Sequence, residues 1–149
     1  MPETSETVMA FDFGEKRIGV AIGETLLGQA RALETVAESA NERRFAAIDR
    51  LIAAWHPQRL VVGLPAHADR DAPHELAARC ERFARQLAAR YRLPVGFCDE
   101  RYSSAVAEAA LAGQGVGGRT NKARLDAEAA AVILQSWFDQ QHAAASSRH

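Results

Sequence analysis

Residues 7–23 read TVMAFDFGEKRIGVAIG. Two short runs rich in apolar and β-branched residues, 7–13 and 17–23, flank a turn at Gly14-Glu15-Lys16. A tight connection between two such runs predicts an antiparallel hairpin. One residue in it is out of place. Asp12 interrupts a run from Val8 to Phe13 that otherwise has the composition of a buried central strand. Asp is disfavoured in strands, and a buried unpaired carboxylate either costs several kcal/mol or gives up its charge. Either Asp12 stands where the strand emerges and caps the Gly14 turn, or it is a working carboxylate at the carboxyl end of a central strand, where α/β sheets place ligands.

Working outward, GQARALETV (28–36) alternates well enough for a third strand. The period then changes. From Asn41 to His56, Phe45, Ile48, Leu51, Ile52 and Trp55 recur at helical spacing, with Glu42, Arg43, Arg44 and Arg50 opposite and Pro57 as a stop. LVVGLP (60–65) is a continuous apolar run, as in a strand covered on both faces. Residues 72–91 return to the helical period through Leu76, Cys80, Phe83, Leu87 and Tyr91, with Pro94 beyond; VGFC (95–98) is a further strand, leading into Asp99-Glu100-Arg101. Ser103 or Ser104 can cap a helix to about Leu111. GQGVGGRTN (113–121) holds four glycines and predicts a flexible loop, after which Thr120 or Asn121 can cap a last helix over roughly 122–138. The order β-β-β-α-β-α-β-α-α predicts one α/β domain over 1–139, a mixed five-stranded sheet with helices on both faces, and a disordered tail over 140–149.

Composition removes several classes. The 149 residues suit one domain, and 18 Lys+Arg against 19 Asp+Glu exclude a globally cationic nucleic-acid coat protein, though not a local basic patch. No run approaches the roughly 18–20 apolar residues of a membrane span. The opening MPETSET lacks the basic-then-apolar order of a signal peptide. Cys80 and Cys98 form no CxxC, and His56, His67, His74, His142 and His149 form no HxxxH. The expectation is a soluble cytoplasmic protein with no built-in zinc site.

Two further acids join Asp12. Asp99 and Glu100 follow the strand at 95–98; neighbours in an extended segment point to opposite faces, so one of them can share a pocket with Asp12, and alternation leaves open which. Asp126, early in the last helix, has Ala129, Ala130 and Ile133 three, four and seven residues on, which turns it toward a packed face. Clustered carboxylates repel and are tolerated mainly around a hard cation, so the set points to Mg²⁺ or Mn²⁺. Paired cations about 3.5–4 Å apart activate water and steady the leaving oxygen of a phosphodiester. Basic residues recur beside each acid: Lys16 and Arg17 after Asp12, Arg101 after Glu100, and Arg119, Lys122 and Arg124 before Asp126. That recurrence is what a phosphate-backbone footprint requires.

FDFGEKRIGVAIG, LVVGLP, DERYSS and NKARLDAEAAAVILQSWF, in that order from about residue 8 to 138, resemble the four motifs of the YqgF/RuvX family. The resemblance implies a ribonuclease-H-like fold and a metal-dependent nuclease. Its implied substrate is the 5′ end of pre-16S ribosomal RNA, with branched DNA, as in Holliday-junction resolution, as the alternative. It assigns the catalytic and metal-binding acids to Asp12, Glu100 and Asp126, and so selects Glu100 over Asp99. After LVVGLP the family often has an Asn-Met-Asp-Gly-like turn; here AHADRDA (66–72) keeps an acid at Asp69 without the glycine. The first hairpin also resembles the phosphate hairpin of actin-like ATPases and sugar kinases, which need far more than 149 residues. A non-catalytic RNA-binding assembly factor, completed by ribosomal proteins, is a third reading; three retained acids facing phosphate oppose it. Sequence leaves monomer and dimer equally open.

Overall fold

The computed structural model describes residues 5–14, 16–64, 74–99 and 119–147, the side chains of 74–76, 99, 119–125 and 142–147 excepted. The opening hairpin is β1 (Thr7–Phe13) against β2 (Ile18–Glu24), antiparallel, with Asp12 opposite Gly19. β3 (Gln29–Val36) pairs antiparallel with β2 and carries a register shift at Val20/Ala21. On the other side of β1 lie β4 (Arg59–Leu64) and β5 (Val95–Asp99), both parallel to it, giving the order β3-β2-β1-β4-β5. The mixed five-stranded sheet expected from the element order is present. Its three parallel strands run out at one edge, where Asp12 and Asp99 lie.

Two cores flank the sheet, and strand alternation sorts the residues between them. Met9, Phe11, Ile18, Val20, Leu60 and Val62 face α1 (Asn41–Trp55) and α2 (His74–Tyr91), meeting Phe45, Ile48, Leu51, Phe83 and Leu87. Val8, Ala10, Ala21, Val61 and Cys98 face α3 (Arg119–Ser147), meeting Ala130, Ile133, Leu134 and Phe138. The second core is built of smaller strand residues, so α3 lies close on the sheet. Gly19 and Gly23 make that approach possible: a Cβ on Gly19 would stand 1.8 Å from the Asp126 carbonyl oxygen, and one on Gly23 2.8 Å from the Phe138 ring.

The structure differs from the sequence expectation in three places. α3 begins at Arg119, so Thr120 and Asn121 lie inside its first turn rather than capping it. It also runs to Ser147, through the span expected to be a disordered tail. That stretch has no Gly or Pro to stop the helix, and Ala143-Ala144-Ala145 has the highest helix propensity. Arg44, expected on the solvated face of α1, is buried at 4% exposure. The helix proposed over 103–111, the glycine-rich 113–118 and the AHADRDA segment lie outside the described residues. Among the described residues no helix is long and apolar enough to cross a membrane.

Candidate active site

Asp12 is the sixth residue of β1, with the parity of Val8 and Ala10, and so belongs to the α3 face of the sheet at the strand's carboxyl end. It is half-buried. Its cross-strand partner is Gly19, and Gly19 is where the backbone of Asp126 rests on the sheet. A chain of two contacts, Asp12 to Gly19 across the ladder and Gly19 to Asp126 across the layers, brings acids 114 residues apart in sequence (126 − 12) to one edge. The packed orientation read for Asp126 from its neighbours holds: Ala129, Ala130 and Ile133 are buried, and the Asp126 side chain keeps 26% exposure. A carboxylate anchored on a helix by buried alanines, yet open to solvent at its tip, can meet a ligand without reorganising the core.

Arg17 answers Asp126 directly. Its Nε donates to Asp126 Oδ2 at 2.7 Å, with 36% of the Arg17 side chain exposed. The sequence placed Arg17 on a phosphate footprint; in the structure its described ion pair is with one of the acids. Lys16 is exposed at the same turn. Arg119, Lys122 and Arg124 fall in the first turns of α3, ahead of Asp126 on the same helix. Glu100, Arg101 and Asp69 lie outside the described residues. Among the described residues no three His, Cys, Asp or Glu side chains gather as a metal site; Asp12 and the backbone of Asp126 share Gly19 as a neighbour.

Sequence reasoning missed Arg44. The spacing 44, 48, 51, 55 is itself helical, and Ile48 and Leu51 are core residues, so the position could have been read as inward-facing. A charged side chain at an inward position of the period is the signal that marks it.

The geometry has close relatives. A sequence profile of the family described as RuvX, Holliday junction resolvase, matches residues 6–140. A protein of Dechloromonas aromatica, named as a candidate pre-16S rRNA nuclease, is 54% identical over 136 residues, covering 91% of this chain and 92% of its own. One of Methylobacillus flagellatus with the same name is 52% identical over 143 residues, 93% and 97% of the two chains. Among solved structures, Thermus thermophilus RuvC in complex with a Holliday junction substrate aligns over 92% of this chain and 96% of its own, with a TM-score of 0.58 at 20% identity. The yeast mitochondrial Holliday junction resolvase Ydc2 aligns over 88% and 77%, with a TM-score of 0.52 at 11% identity. At those identities the structural likeness speaks for the fold, which is ribonuclease-H-like.

Proposed function

The chain belongs to the RuvX family, and from that membership together with the placing of Asp12 and Asp126 on either side of Gly19 we propose that it is a nuclease hydrolysing phosphodiester bonds in 5′-end maturation of pre-16S rRNA. The single observation that carries the site is the seat of Asp126 on Gly19, opposite Asp12. Nothing in packing a helix on a sheet calls for a carboxylate from each layer at that contact, and the Asp126 carboxylate there is matched by the Arg17 guanidinium at 2.7 Å. An all-oxygen donor set at a solvent-open strand edge fits a hard divalent cation, Mg²⁺ or Mn²⁺. Asp12, Asp126 and Glu100 are the residues that would hold it. Support for Glu100 over Asp99 is that the described part of β5 turns its even-numbered residues to the α3 face: Cys98 packs in that core and Gly96 faces Trp137.

A bound cation would supply charge neutralisation at the phosphate and a lowered water pKa, so that hydroxide is available as the nucleophile near neutral pH. The chain's own residues do the rest. Asp12 and Asp126 are fixed by a strand and a helix rather than by loops, so their carboxylates are held in place before substrate arrives. Arg17 neutralises Asp126 in the absence of a cation and, being partly exposed, is free to turn toward a phosphate oxygen. Lys16, Arg101, Arg119, Lys122 and Arg124 draw the polyanion in, which lets a chain of net charge −1 hold RNA. Action on a ribosomal RNA precursor supports a cytoplasmic location, with ribosomal proteins at hand to complete the binding surface.

The test is purified protein with Mn²⁺ on a 5′-extended 16S rRNA fragment and on a four-way DNA junction. Cleavage of the RNA is expected, with Asp12→Asn, Glu100→Gln and Asp126→Asn each lowering the rate at least about a hundredfold, a loss of about 2.7 kcal/mol of transition-state stabilisation. Undiminished cleavage by the Asp12→Asn protein overturns the assignment, and cleavage of the junction alone moves the substrate to branched DNA.

A further inference from the structure

Arg44 is a charged residue inside a core that has no evident use for one. Its neighbours on α1, Phe45, Ala47 and Ile48, are buried apolar side chains, and removing a guanidinium from water is costly unless its donors are met. Those donors meet backbone. Arg44 Nη2 donates to the Gly14 carbonyl oxygen and Nε to that of Glu38, both at 2.5 Å. The guanidinium carbon stands 5.2 Å from the centroid of the Phe13 ring, which in turn packs on Phe83 at 4.9 Å.

Arg44 therefore holds the side chain of residue 13 and the backbone of residue 14, the two positions that follow Asp12. It does so from the α1 face, opposite the face that carries Asp12 and Asp126. The β1–β2 ladder ends at the pair Phe13–Ile18, so Gly14 is the first residue past the strand pairing and Arg44 takes its carbonyl there. We propose that Arg44 is a positioning residue for the site: it fixes the exit of β1 and thereby the direction in which Asp12 presents its carboxylate toward Asp126. This rests on the nuclease reading above. The forked guanidinium suits the task because two donors at fixed spacing reach two carbonyls at once, Gly14 after β1 and Glu38 before α1. A lysine has a single ammonium and no fork.

The test compares full-length wild type with Arg44→Met, which keeps the length and apolar stem, and Arg44→Lys, which keeps the charge. Mn²⁺ affinity is read by calorimetry, kcat and KM from RNA cleavage, and folding from thermal melts. In a folded Arg44→Met protein, Mn²⁺ binding is expected to weaken about tenfold or more. Its kcat should fall about ten- to a hundredfold with KM for RNA within about twofold, since an ångström of misplacement costs rate rather than binding. Arg44→Lys should recover part of both losses. An Arg44→Met protein with wild-type Mn²⁺ affinity and kcat, whatever its melting temperature, overturns the proposal and leaves Arg44 a structural brace. Should Arg44→Met not fold, Arg44→Lys decides: wild-type Mn²⁺ affinity and kcat overturn the proposal, and a reduction of both upholds it. A wild type that neither binds Mn²⁺ nor cleaves RNA fails the nuclease reading itself; a wild type that does both beside an equal Arg44→Met fails only the role given to Arg44.

Discussion

At Arg17 and Asp126 a single ion pair has two possible meanings, and magnitude separates them. Partly exposed pairs contribute about 0.2–1 kcal/mol, so the 2.7 Å contact matters little to stability. It matters more to a cation, because the carboxylate oxygen that accepts from Arg17 is engaged until the guanidinium moves. Arg17→Gln is therefore expected to melt within a few degrees of wild type, to bind Mn²⁺ more tightly and to bind RNA more weakly. Calorimetric titration with Mn²⁺ checks this, and weaker Mn²⁺ binding by the variant would contradict it. At this scale the places of the two acids were legible in the sequence for different reasons: Asp12 at a strand end because it breaks an apolar run, Asp126 on a packed helix face because alanines flank it at helical spacing. The partnership of Arg17 was not, since it spans 109 residues and periodicity carries no information about such pairs. Glu100 was selected over Asp99 by family resemblance, not by alternation, and lies outside the described residues.

Between elements, the contact that matters most is α3 on β2 at Gly19. The Cβ of an alanine there would stand 1.8 Å from the Asp126 carbonyl oxygen and 2.3 Å from its carbon, backbone atoms that no rotamer change can move aside. Gly19→Ala must lift α3 and carry Asp126 away from Asp12. A loss of about 1–3 kcal/mol or more is expected, as for overpacked cores, together with loss of cleavage. Gly96→Ala is the control: its nearest contact would be Trp137 Nε1 at 3.8 Å, ordinary van der Waals distance, so melting and cleavage should stay near wild type. Equal behaviour of the two variants would contradict the close approach. α1 and α2 are tied differently, by Asp49 accepting from Arg90 Nε and Nη2 at 2.9 and 2.8 Å and from the Tyr91 hydroxyl at 2.6 Å. The bond from Arg90, then that from Tyr91, hold the Asp49 carboxyl down to about 2, from an ordinary 3.8. With the folded value below the unfolded one, this stabilisation is present above about pH 4 and lost as pH falls through about 2. Asp49→Asn should thus narrow its melting difference from wild type between pH 6 and pH 2.5; a constant difference would remove Asp49 as the source. Helices and strands were readable because their apolar periods are long, and the ends of α3 were not. Thr120 and Asn121 are good caps in the abstract, yet the helix starts ahead of them, and the alanines after Gln140 carry it on to Ser147.

Over the whole molecule, near-neutral charge and a polyanionic substrate are reconciled only if the basic residues are grouped where the acids are. Lys122→Ala and Arg101→Ala should each weaken RNA binding with little regard to sequence and flatten the log–log salt dependence by somewhat under one unit, a single-strand phosphate contact being worth about 0.7. Unchanged slopes in both variants would take these residues out of the footprint. The mixed sheet and its two-sided helical cover followed from the alternation of strand and helix in sequence, because crossovers between parallel strands leave few topologies; the strand order β3-β2-β1-β4-β5 came from the structure. The closeness of α3 to the sheet did not, because a glycine in a strand reads as a weakness until the layer above it is known. Melting with EDTA and with Mg²⁺ tests the claim that Asp12 and Asp126 together hold a divalent cation. Wild type should gain about 1.4 kcal/mol at 10 mM Mg²⁺ for a dissociation constant of about 1 mM, roughly 3–5 °C. Asp12→Asn should melt no lower than wild type in EDTA, because a repelling charge is gone, and should show almost none of the Mg²⁺ gain. A variant that melts lower in EDTA and keeps the full Mg²⁺ shift would make Asp12 a turn residue and contradict the claim.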